Sequence, residues 1–222
     1  MNPDGMATAI AKPLLRGWLH LLCFFLAVPT GIWLVAGAPT SRARVGAAVY
    51  AVGLSALFGV SGFYHRGRWG PSWRARMQRL DHSTIFVMIA GSYTPLCLVV
   101  LRGWAAAGLL IAVWTGAAVG AALSWYPSRR SALACNVLYI ALGWLVVAAG
   151  PQLLTRIERT DFVLLAIGGL LFTVGAVTLA THWPDPSPRF FGYHEVWHVL
   201  VVAAVVCQLV AIASVVRSKV PL

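Results

Sequence analysis

Seven apolar runs dominate this chain, and each is long enough to cross a bilayer. They fall near Trp18–Ala36, Val45–Tyr64, Leu80–Val100, Trp104–Trp125, Ala132–Ala149, Phe162–His182 and Tyr193–Val216. A helix needs roughly 20 apolar residues to span the hydrocarbon core, whereas a barrel strand is an alternating segment of roughly 10. These runs do not alternate, so the expected fold is an all-α membrane protein, a seven-transmembrane helical bundle. Composition agrees: 59% of the 222 residues are hydrophobic and 10% are charged. A soluble domain carries about 25% charged residues. A chain this apolar has too little polar side chain to cover a water-facing surface.

The expected organisation is a short cytoplasmic tail (1–17), one integral domain (18–216) and a C-terminal tail (217–222). The first run also resembles a signal peptide, with Lys12 and Arg16 before it and Ala36-Gly37-Ala38 in the small-x-small form of a cleavage site. Its apolar stretch exceeds the 7–15 residues usual for such a region, which favours a retained helix. The connection Arg66–Arg79 holds five arginines, with Trp69, Trp73 and Met77 spaced by four. Pro71 can open a short surface helix there; a basic loop without structure is the other reading.

The net charge is +11, and almost all of the basic residues lie in the breaks between runs. That placement suits anionic lipid headgroups and topology control rather than nucleic acid. With the N-terminus inside, Lys12, Arg16, Arg129, Arg130, Arg189 and the Arg66–Arg79 group are internal. Arg42, Arg44, Arg102, Arg156, Arg159, Arg217 and Lys219 are external. The bias mildly favours N-inside. The four cysteines, Cys23, Cys97, Cys135 and Cys207, sit inside apolar runs without a CxxC spacing. They point to neither a disulfide framework nor a thiolate metal site.

Ionisable residues inside spans are costly and mark function. His65 closes the second run, Asp81 and His82 open the third, and His194, Glu195 and His198 open the seventh. Alternating spans put all three of these ends on one membrane face, whichever way the protein is oriented. His194 and His198 are four apart, so both rings leave one helical face and can bind one metal. Ser61 and His65 share that spacing. His65 would complete a three-histidine set, which with a water describes a catalytic-type zinc site. Asp81 can act as base or fix a histidine, and Ser61 can steady Asp81 or donate to a developing oxyanion.

Each motif has a plainer reading alone: an HxxxH pair arises by chance, and Ser61 can simply back-bond its own helix. His20 and His182 lack partners at helical spacing and are read as interfacial. Glu195 is read as a solvated carboxylate at a helix start, pointing away from the histidine face. His82 follows Asp81 directly and faces elsewhere. Pro95, within Gly91-Ser92-Tyr93-Thr94-Pro95, removes a helix hydrogen bond that Ser92 and Thr94 can help to replace. It reads first as a structural kink, and second as a bend that widens a cavity.

The segments Ser61-Gly-Phe-Tyr-His65, Leu80-Asp81, Ala90-Gly-Ser-Tyr-Thr-Pro95 and His194-Glu-Val-Trp-His198 resemble, in order and approximate spacing, the progestin and adipoQ receptor family. The resemblance is to its bacterial hemolysin III branch. It implies seven helices in the bacterial plasma (inner) membrane with a cytoplasmic N-terminus. It also implies zinc near the cytoplasmic face on His65, His194 and His198, with Asp81 and Ser61 as the accompanying polar pair. The wider superfamily includes ceramide-cleaving hydrolases, so lipid-amide hydrolysis is one expectation, and membrane homeostasis another. The His82 that follows Asp81 departs from the expected pattern, which has a less polar residue there. Membrane lipids are the expected partners, as substrate or regulator. A non-enzymatic sensor whose zinc staples helices is the alternative. A pore-forming cytolysin is a third, though helices apolar through their middles lack the polar lining a conducting path needs.

Overall fold

A computed structural model describes residues 13–126 and 128–218; Lys12, Lys219 and the rest of both expected tails beyond those limits lie outside the described residues. The described chain is helical, with seven helices long and apolar enough to cross a membrane. We number them α1 (Trp18–Gly37), α2 (Ser41–Arg66), α3 (Pro71–Val100), α4 (Gly103–Leu123), α5 (Arg129–Arg156), α6 (Arg159–Thr181) and α7 (Tyr193–Arg217).

Capping chemistry explains where several begin. Thr40 is extended and its side chain accepts from Ala43 N at 3.2 Å, so α2 starts ahead of its first long apolar residue. Ser128 and Ser131 form a reciprocal capping box that starts α5 at Arg129. Such caps satisfy backbone donors that the first turn leaves open.

The largest departure from the sequence reading is at Arg66–Arg79. Pro71 does open a helix, but not a separate one: from Pro71 the turn runs unbroken into the third span. Proline fixes φ for a first helical position, and the preceding Gly70 is extended, at φ −63° and ψ 162°. The connection therefore shrinks to residues 67–70, and the basic segment becomes a projecting turn of α3 carrying the exposed Trp73. The fifth run is longer than read, at Arg129–Arg156, and changes to a 3₁₀ turn over Leu145–Ala149.

Pro95 ends the regular part of α3, which continues as a π-helical turn over Leu96–Val100. Thr94 Oγ1 donates to Ala90 O and Ser92 Oγ to Ile89 O, both at 2.8 Å. Neither serves Gly91 O, the carbonyl that Pro95 deprives of its donor; Leu96 N–H turns to Tyr93 O instead. Ser92, Tyr93 and Leu96 also line an apolar cavity of about 200 Å³ that reaches Trp144 and Gln208.

Two apolar clusters meet at α3. One joins Leu34 of α1, Tyr50 and Leu54 of α2, Met88 of α3 and Ile212 of α7; the other joins Phe86 and Val100 of α3 with Val113 of α4 and Leu142 of α5. The spanning stretch of α3 is 72% buried, against 17% for α5 and α6, so α3 is the central post and the latter two face lipid. Exposed Ile111, Leu133 and Val147 fit that environment. Lipid removes the hydrophobic drive between helices, leaving close packing and small residues to hold them. Gly62 illustrates this: a Cβ there would lie 2.8 Å from the Leu21 backbone, so α1 and α2 touch main chain to main chain.

Candidate metal centre

Four helix ends come together on one side of the bundle: the starts of α1, α3 and α7 and the end of α2. His65 lies in the last turn of α2, buried, and His194 and His198 in the first turns of α7. Donor atoms of the three lie within 4.8 Å of one another, close enough to hold a metal ion. His65 Nε2 and His194 Nε2 are 3.3 Å apart. Two nitrogens each ~2.05 Å from a tetrahedral zinc would be separated by about 3.3–3.4 Å. The three rings meet edge to face at interplanar angles of 61–75°, so their nitrogens converge instead of stacking side by side.

Asp81, near the start of the spanning part of α3, places Oδ2 3.9 Å from His65 Nε2. That is too long for a direct hydrogen bond. Asp81 also stands outside the set of donors that converge within 4.8 Å. Its carboxyl lies within reach of the Ser61 side chain. Ser61, one turn before His65 on α2, is itself buried. The structure thus brings all five sequence-selected residues to one place.

It also corrects two readings. His20 is not interfacial: it is 3% exposed, with Nδ1 2.9 Å from Ser61 Oγ and its ring stacked on His198 at 3.8 Å. Spacing within α1 held no hint of this, because its partners sit on α2 and α7. The alternation of spans did carry the hint, since the start of α1 shares a face with the end of α2. Glu195 is not solvated either; it is 3% exposed. Its Oε2 accepts from Gly192 N at 2.8 Å, and its carboxylate pairs with Arg16 from the turn before α1. It does lie off the face shared by His194 and His198, as its place between them requires. His182 and His82 are exposed; His82 lines the polar cavity that also holds His65, Asp81 and His194, and the His182 ring rests edge-on against Tyr193.

Gly17 explains how α1 gets so close. It sits in the left-handed region at φ 81°, and a Cβ would lie 2.4 Å from the His65 Cβ. Only glycine meets both demands without strain. Arg16 is thereby carried over α7, where it also lines a polar cavity of about 230 Å³ with Tyr64, His65, Trp69, Asp81 and His194. Removing one partner of a buried pair leaves an uncompensated charge. Arg16→Ala should therefore lower unfolding free energy by about 3 kcal/mol. Denaturation in detergent checks this, and Arg16→Met with Glu195→Leu should recover most of the loss. Equal stability of Arg16→Ala and wild type would show that the pair is solvent-screened.

The family model described as "Haemolysin-III related" matches residues 8–209. "Hemolysin-3" of Bacillus cereus is 31% identical over 199 residues, covering 88% of each chain. "Hemolysin-3 homolog" of Bacillus subtilis (strain 168) is 34% identical over 125 residues, 56% of each. "Monocyte to macrophage differentiation factor" of Homo sapiens is 27% identical over 175 residues, covering 76% of this chain and 69% of that protein.

Proposed function

The chain belongs to the haemolysin-III related family, and from that membership and the converging imidazoles we propose that it is a zinc-dependent hydrolase of a lipid amide, working inside the membrane. The observation that carries the reading is the approach of His65, His194 and His198 to within 4.8 Å on two helices, with a carboxylate beside them and not among them. Three neutral nitrogens suit zinc and leave one of its four positions open to water or substrate. Structural zinc sites are closed by a fourth protein ligand. The staple reading needs Asp81 in that role, and its place outside the converging set favours the open site.

When bound, the metal would supply a Lewis acid and a water acidified to a pKa of about 7. The chain's own residues divide the remaining work. Asp81 is placed to take and return a proton at its carboxylate oxygens. Ser61 orients that carboxylate and offers a hydroxyl hydrogen bond to negative charge developing on a carbonyl oxygen. The substrate class follows from the solvent: a lipid reaches a buried site at a helix end without leaving the bilayer. We place the N-terminus, and with it the centre, on the cytoplasmic side of a bacterial inner membrane. The surplus of internal arginines supports that orientation.

The test is purified protein in lipid nanodiscs, loaded with zinc and offered a panel of ceramides, other N-acyl lipids and lipid esters. Free fatty acid read by mass spectrometry should appear with zinc and vanish with a chelator. A zinc-loaded sample that releases no fatty acid from the whole panel, and matches its His198→Ala variant, would overturn the hydrolase.

A further inference from the structure

His20 takes no part in the chemistry above, yet it is among the most deeply enclosed polar side chains of the protein. It is 3% exposed, and it is fixed on three sides. The Phe58 ring meets it edge-on at 5.1 Å, the His198 ring lies over it at 3.8 Å with 18° between planes, and Ser61 Oγ is 2.9 Å from Nδ1. Burying an imidazole this completely is costly unless its nitrogens are used.

It is not a fourth ligand to the same metal. A metal lies close to the plane of every imidazole that binds it. Two rings 3.8 Å apart and 18° from parallel cannot both hold one ion in plane. His198 belongs to the converging set and His20 does not.

Its hydrogen bond to Ser61 has a direction that can be derived. A serine hydroxyl has one proton. Ser61 Oγ lies 2.9 Å from His20 Nδ1, and the Asp81 carboxylate, which when ionised only accepts, is the acceptor proposed above for the Ser61 proton. If Ser61 donates to Asp81, Nδ1 must carry the hydrogen and donate to Ser61 Oγ.

We propose that His20 is a positioning residue of the centre: its Nδ1–H holds the Ser61 oxygen so that the Ser61 proton faces Asp81. This rests on the reading of the three histidines as a metal site. Outer partners that orient ligands typically matter 10–100-fold to metal affinity. The chain that results runs from α1 through α2 to α3, with α7 held by stacking. The close approaches at Gly17 and Gly62 bring α1 near enough to build it.

Two measurements on the full chain test it. The first is zinc affinity, by competition with a chelator, for wild type, His20→Phe and His20→Asn. Phenylalanine keeps a flat ring over His198 and loses the donor; asparagine places an N–H where Nδ1 was. His20→Phe should weaken zinc binding by about 10–100-fold, and His20→Asn should return to within about threefold of wild type. A merely space-filling role would give the opposite order, and that order overturns the proposal. The second is ¹⁵N-histidine NMR of metal-free protein, with His20 assigned by its loss in His20→Asn. Its proton should reside on Nδ1, with a resonance that moves in Ser61→Ala. A proton on Nε2 overturns the proposal whatever zinc does. If wild type itself binds no zinc, the metal reading fails, and the tautomer still decides the bond between His20 and Ser61.

Discussion

Alanine at His65, His194 or His198 should strip the metal from the purified protein. Wild type, isolated in mild detergent without chelators and dialysed against trace zinc, is expected to carry about one zinc per chain, as three converging imidazoles imply. Each single variant would remove one of the three proposed protein ligands. The loss of affinity should exceed the 10–100-fold typical of an outer partner, which at trace zinc leaves the site empty. Elemental mass spectrometry reads the result directly. His82→Ala and His182→Ala supply the controls, because both side chains are exposed and neither belongs to the converging set. They should bind as wild type does. The same spectrum tests metal identity, since imidazole also suits copper, nickel and iron. Retention of full zinc in both His194→Ala and His198→Ala would place the metal elsewhere, and the proposed chemistry with it.

The reach of the sequence can be judged from particular residues. The spans were readable because lipid enforces a length and an apolarity that water-soluble folds do not. The site was readable because alternation of spans is a parity rule: it needs no register, only a count. Helix starts were read late at α2 and α3, where a polar cap or a proline lies upstream of the apolar run. Arg74, Arg76 and Arg79 conceal the continuation of α3, since their charge interrupts the apolar pattern of the span, whereas the helix simply projects past the apolar layer. His20 and Glu195 were misread for another reason. Each was weighed against neighbours on its own helix, but their partners lie on other helices. Glu195 is buried because Arg16 arrives from 179 positions away, turned inward by a left-handed glycine whose conformation no hydropathy pattern encodes. The same parity argument that assembled His65, Asp81 and His194 would have added the start of α1, and with it His20 and Arg16.

The remaining large effect concerns Asp81. Asn replaces it with nearly equal volume and keeps an oxygen for the Ser61 hydroxyl, but cannot take a proton. If Asp81 is the general base, Asp81→Asn should hold its zinc within about twofold, because the residue lies outside the converging donors. Turnover of the best lipid in the panel should fall by about 10²–10⁴. Comparing metal content with rate separates the competing roles. Were Asp81 a fourth ligand, zinc and activity would fall together, and the site would be a closed staple of α2, α3 and α7. Were Asp81 only packing against His65, neither would change. The 3.9 Å between Asp81 Oδ2 and His65 Nε2 suits the first outcome. It sets the carboxylate next to the converging donors without placing it among them.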